Sequence, residues 1–143
     1  MDWTLDTWVL HKAAGGDWDA AVLLGNILHK HHGVALDHEN QIKTQYENCA
    51  RETGHKLIRK WVQEVILKLA HWRSGKLTLS HQRALQNLKF DKGDWVFVAV
   101  ASRTQSKLLV AEESDYTSKV KEYLLAQMSV SVLTVADSLK RFG

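Results

Sequence analysis

Three short apolar runs, each closed by acidic residues and separated by stretches of helical periodicity, constrain this chain more than any other feature. Trp3-Thr4-Leu5 ends at Asp6, Val34-Ala35-Leu36 ends at Asp37, and Lys107-Leu108-Leu109-Val110 is followed by Glu112 and Glu113. Between them, residues 17–31 read as a helix in which Asp17 is a candidate cap before Ala20, Leu23, Leu24 and Ile27. A second helix starts near Glu39, and a long 3.6-residue period runs from 55 to 72 through Ile58, Trp61, Val62, Val65 and Leu69. Residues 116–127 predict another helix, Val130–Thr134 a last strand, and Val135–Phe142 a closing helix. Strands separated by helices require crossover connections. The expected fold is therefore α/β, a three-layer α/β/α sandwich around a central, mostly parallel sheet.

At 143 residues the chain has the length of one domain, expected to span 1–143, and no linker or repeat divides it. One cysteine, Cys49, permits no internal disulfide and no Cys/His zinc spacing; it reads as a small buried hydrophobe. The opening MDWTLDTWVL carries acids where a signal peptide needs lysine or arginine, and no apolar stretch has the length of a membrane span. A cytoplasmic protein with no membrane association is expected.

Charge is distributed unevenly. Residues 1–50 hold three Lys/Arg against seven Asp/Glu, residues 51–92 hold ten against three, and the remainder balances at six each. The middle third is a cationic belt, which suits a polyanion such as a phosphate chain and equally suits a solvated helix face. In open α/β sheets, ligands bind beyond the carboxyl ends of the strands, where the acids that close the runs collect. Carboxylates crowded together repel, and a hard divalent cation removes that cost. Acids at a sheet edge beside a basic belt have the layout of a metal-dependent phosphodiesterase. Acids at strand ends also serve as ordinary helix caps and turn formers.

Five segments, in order and covering nearly the whole chain, resemble the PIN-domain family. WTLDTWVL is similar to its opening strand, in which an apolar run leads into Asp-Thr-Asn, and VALDHENQIKTQYENC to its strand and helix with an Ile-x-x-x-Tyr-Glu pattern. GDWVFVAVA resembles the helix begun by the family's third Asp, LLVAEESDY its strand-and-acid motif, and MSVSVLTVADSLKRF its terminal strand and helix. The run Trp95–Val100 has the propensity of a buried strand, and the resemblance makes it a helix behind Asp94.

Carried over residue by residue, the resemblance implies a catalytic quartet of Asp6, Glu47, Asp94 and Glu113. Metal ligation would fall to Asp6, Asp94, Glu113 and the accessory Asp115. It implies Mg²⁺ or Mn²⁺ as cofactor and endonucleolytic cleavage of single-stranded RNA to a 5′-phosphate and a 3′-hydroxyl. It further implies a homodimer acting as the toxin of a toxin–antitoxin pair, silenced by an antitoxin protein. A standalone PIN nuclease of RNA processing or phage defence, and a degenerate PIN module that binds nucleic acid or protein without cutting, are the alternatives. Trp8 stands where the family has Asn, and Glu113 is one methylene longer than the family's Asp.

Candidate substrate contacts are Thr7, Arg51, Lys56, Arg59, Lys60 and Arg73. The Thr7 hydroxyl suits metal or substrate support and equally a turn hydrogen bond. Trp61 falls on the apolar stripe of its helix and reads as core. Trp72 beside Arg73 is the better candidate for base stacking, although packing explains it as well. His29, His31 and His32 lie where a helix ends and favour its negative terminus over zinc.

Overall fold

In a computed structural model of the chain, which describes residues 1–112 and 114–142, a five-stranded sheet with every neighbouring pair parallel carries helices on both faces. The elements run β1 (Asp2–Leu5), α1 (Thr7–Ala14), α2 (Trp18–His29), β2 (Gly33–Asp37), α3 (Gln41–Thr53), α4 (Lys56–Glu64), β3 (Ala70–Arg73), α5 (Leu79–Asn87), α6 (Trp95–Ser102), β4 (Leu108–Val110), α7 (Ser118–Met128), β5 (Ser131–Leu133) and α8 (Val135–Leu139). A π turn at Val65–Leu69 and 3₁₀ turns at Lys92–Asp94 and Lys140–Phe142 complete the chain. This is the α/β architecture that the alternation of runs and helices predicts. No helix of the described residues is long and apolar enough to cross a membrane.

The strand order is β3-β2-β1-β4-β5. The chain winds outward from β1 in one direction through β2 and β3, then returns to the other side of β1 for β4 and β5. A crevice therefore opens between the carboxyl ends of β1 and β4, the point at which such sheets bind ligands. The central strands are buried on both sides: Trp3, Leu5, Val34, Leu36, Leu109 and Val110 have no exposed surface.

Local chemistry explains most of the boundaries. The Asp17 carboxylate accepts from Ala20 N–H at 2.9 Å and begins α2. Thr117 and Thr134 cap α7 and α8 in the same way. Asp37, completely buried at the end of β2, accepts from the Gln41 and Ile42 amides at 2.9 and 2.7 Å, so this strand-end acid serves the start of α3.

One segment departs from the sequence expectation. The long helix expected over 55–72 is α4 and a π turn, and its last residues form β3. An extra residue per turn breaks the α-period at Val65, and pairing of Ala70–Arg73 with Val34–Asp37 then fixes an extended conformation that the local sequence does not announce. Residues 95–100 are helical, as the resemblance implies and against their β-branched content, and α6 lies buried against β1, β2 and β4. Thr7–Ala14 forms a helix of its own directly after β1.

Candidate metal centre

The carboxyl edge of the sheet gathers the acidic loops. Asp6 follows β1, is 2% exposed, and donates its backbone N–H to Val110 O at 3.0 Å, which places it against the end of β4. The segment after α6 returns to the opposite edge, where Ser106 Oγ donates to Asp2 O at 2.5 Å. The first turn of α6, with Asp94 before it, therefore lies at the carboxyl edge.

Asp94 occupies the cap position of α6 yet makes no side-chain cap hydrogen bond; its backbone continues a 3₁₀ turn. Its carboxylate belongs to a different grouping. One oxygen from each of Asp91, Asp94 and Asp115 lies within 4.8 Å of the others. The rings on the neighbouring positions explain why two separate loops meet: Phe90 and Tyr116, each 3% exposed, pack edge to face beneath the acids.

Three carboxylates gathered this closely form a group that could hold a hard cation. The donor set is all oxygen, with no thiolate or imidazole, which suits Mg²⁺ or Mn²⁺ over zinc. Half-burial of Asp94 against exposed Asp91 and Asp115 leaves one side of the group open to solvent.

The sequence-derived site residues are placed unequally. Asp94 and Asp115 come together, with Asp91 as a member that sequence reasoning did not single out. Asp6 is beside the same edge and close to Tyr46, whose phenol it helps hold protonated: burial, and then the Asp6 charge, push Tyr46 well above the ordinary tyrosine range. Glu47 is exposed on α3, where Ile42, Tyr46, Cys49 and Ala50 form the buried face. Glu113 lies outside the described residues. Its neighbour Glu112 accepts from Val135 N–H at 3.1 Å and so supports the start of α8.

The Thr7 hydroxyl donates to Gln45 Oε1 at 2.8 Å, tying α1 to α3. Arg51 sits ten residues beyond Gln41 in α3, about 15 Å along the axis from the carboxyl edge, and Nη2 donates to Asn48 Oδ1 at 2.6 Å. Lys56, Arg59 and Lys60 are exposed on α4. Arg73 turns back toward Asp2, with Nη2 and Oδ2 3.5 Å apart, and Asp2 also holds His71 Nδ1 at 2.6 Å. Lys92, next to Asp91 in the chain, lies 6.0 Å from the Trp95 ring centroid, and Lys12 lies 4.6 Å from that of Trp8 and 3.7 Å from Asp17.

Trp61 is core, as its periodicity indicates, and its indole N–H donates to Leu24 O at 3.0 Å. Trp72 is 37% exposed on edge strand β3. The chain matches no family model, and neither a curated protein nor a solved structure is significantly similar to it. The fold and the site together define an α/β sandwich with an acidic group at its carboxyl edge, and they do so without support from a relative.

Proposed function

We propose that the chain is a metal-dependent endoribonuclease of the PIN type that cleaves single-stranded RNA. The observation that carries this reading is the approach of Asp91, Asp94 and Asp115 to within 4.8 Å, at the sheet edge that also bears Asp6 and beside the strand-order reversal. Mg²⁺ or Mn²⁺, when bound, supplies an activated water and positive charge for the leaving oxygen. Asp91, Asp94 and Asp115 would hold it, and Asp6, buried after β1, would add negative charge at the same edge. Lys92 attracts the phosphate chain to the same rim. Operation as the toxin of a toxin–antitoxin pair, as a homodimer in the cytoplasm with an antitoxin over the acidic edge, belongs to this proposal and rests on the sequence resemblance.

Cleavage of a labelled single-stranded RNA with Mn²⁺ and with EDTA tests it. Wild-type protein is expected to cut only with metal, and Asp94→Asn to lower the rate by about two orders of magnitude or more. Equal cleavage by Asp94→Asn, or none by the wild type in Mn²⁺, contradicts the proposal.

One observation favours a second reading, a module that binds nucleic acid without cutting it. Glu47, assigned to the catalytic quartet by resemblance, is exposed on α3 and absent from the close acidic group. RNA binding that persists while metal-dependent cleavage is undetectable identifies that case.

A further inference from the structure

A second concave feature opens beside the acids. Between the start of α6 and the loop leading into α5 lies a cleft of about 360 Å³, walled by Lys76, Gln82, Lys92, Trp95 and Gln41 and floored by Gly75. That volume falls in the range of roughly 300–1,000 Å³ typical of ligand clefts. We infer that this cleft holds one nucleotide of the single-stranded RNA next to the cleaved bond, its base against Trp95 and its phosphate between Lys76 and Lys92. The inference rests on the nuclease reading for the identity of the strand, and on the cleft's own chemistry for the subsite.

Trp95 is a fixed platform. Its indole N–H donates to Phe90 O at 3.3 Å, which orients the ring, and the side chain is only partly buried, so part of it lines the cleft. Lys92 Nζ lies 6.0 Å from the ring centroid, so a cation already sits by the aromatic face. Aromatic faces interleaved with cations are how single strands are gripped, because every base has a π-face and every nucleotide a phosphate.

The floor is built for close approach. A Cβ at Gly75 would lie 2.8 Å from Asp37 Cβ and 2.9 Å from both Glu39 Oε1 and Val96 Cγ2, so only glycine lets this loop sit down on the end of β2. The carboxylate nearest the floor, Glu39, accepts from Gly75 N–H at 3.0 Å. Gln82 donates its amide N–H to Leu77 O at 2.9 Å, which anchors an amide wall suited to base edges. Trp95 directly follows Asp94, so a nucleotide stacked there neighbours the acidic group.

The test is binding of a fluorescein-labelled oligouridylate and oligoadenylate to the full chain in EDTA, followed by fluorescence anisotropy, with cleavage in Mn²⁺ measured in parallel. Trp95→Ala is expected to weaken binding of both oligomers about tenfold and Trp95→Phe much less. Lys76→Glu/Lys92→Glu, two exposed changes that leave the core intact, is expected to lower the salt slope of binding by about two. Lys56→Glu/Lys60→Glu on α4 serves as the comparison. Wild-type affinity in both Trp95→Ala and the Lys76/Lys92 variant overturns the inference, as does equal loss in the α4 variant. Trp95-dependent binding without any cleavage in Mn²⁺ supports the subsite and sinks the nuclease reading; cleavage with Trp95-independent binding does the reverse.

Discussion

Phe90 and Tyr116 meet edge to face with ring centroids 4.9 Å apart and an interplanar angle of 70°. Each is the immediate neighbour of an acid, Asp91 in one case and Asp115 in the other. This aromatic contact joins the loop before α6 to the loop after β4, and the two carboxylates share a site because the rings do.

Replacing Phe90 with Ala removes that joint. A buried Phe→Ala change costs about 3–5 kcal/mol, so a large fall in stability is expected in urea denaturation. Phe90→Leu retains most of the volume and folds, and its Mn²⁺ affinity is expected to fall while its secondary structure, followed by circular dichroism, is retained. Unchanged Mn²⁺ affinity in Phe90→Leu would separate the rings from the acids.

Metal binding discriminates the structural acids from the sequence-derived ones. Asn at position 91, 94 or 115 is expected to weaken Mn²⁺ binding about tenfold or more by titration calorimetry, whereas Glu47→Gln leaves it close to wild type. A dominant effect at Glu47 contradicts this arrangement of acids.

Alkaline pH probes the buried phenol and thiol. Tyr46 donates to Leu5 O at 2.5 Å and its pKa is raised, chiefly by burial and then by Asp6. Burial and Glu52 push the Cys49 thiol up to about 11. Both groups hold their protons more tightly in the folded chain. Their contribution is complete below the unfolded values and is lost as pH rises, from about 9 to 11 for Cys49 and above about 10 for Tyr46. Stability is expected to fall across this window, and less steeply in Tyr46→Phe and Cys49→Ser. The Tyr46→Phe change itself is expected to cost about 1–2 kcal/mol at neutral pH through the lost hydrogen bond.

Acidic pH probes the other end of β1. Trp3 Nε1–H donates to His32 Nδ1 at 2.9 Å, and both rings stack with Phe142. Burial, followed by the charges of the N-terminus and Lys30, lowers the His32 pKa. The neutral ring accepts and the protonated ring does not. The contribution is present above about pH 6.5 and is lost as pH falls through the lowered folded value. Denaturation at pH 7.5 and 5.5 is expected to show a loss that His32→Phe reduces.

How much of this was legible depends on whether a neighbour or a distant strand decides the outcome. The start of α2 was legible because Asp17 caps Ala20 three residues away, and β1, β2 and β4 because buried parallel strands are continuous apolar runs. β3 was hidden: Ala-His-Trp-Arg lies on the sheet edge, partly exposed, and only its pairing with β2 makes it a strand. Residues 95–100 carry valines that favour a strand, and burial of the helix against three strands outweighs that preference. At the site, Asp94 and Asp115 stand in motifs that resemble the PIN family's, whereas Asp91 stands in none. Its place in the group goes with the contact of Phe90 with Tyr116, 26 positions apart in the chain. The Ile42, Tyr46, Cys49 period of α3 was the signal available for Glu47, since it turns that side chain outward.

A crystal soaked in Mn²⁺ and measured at the manganese absorption edge tests the central claim most directly. An anomalous peak coordinated by Asp91, Asp94 and Asp115 is the predicted result. Manganese bound elsewhere, with those three carboxylates uncoordinated at millimolar metal, would contradict it.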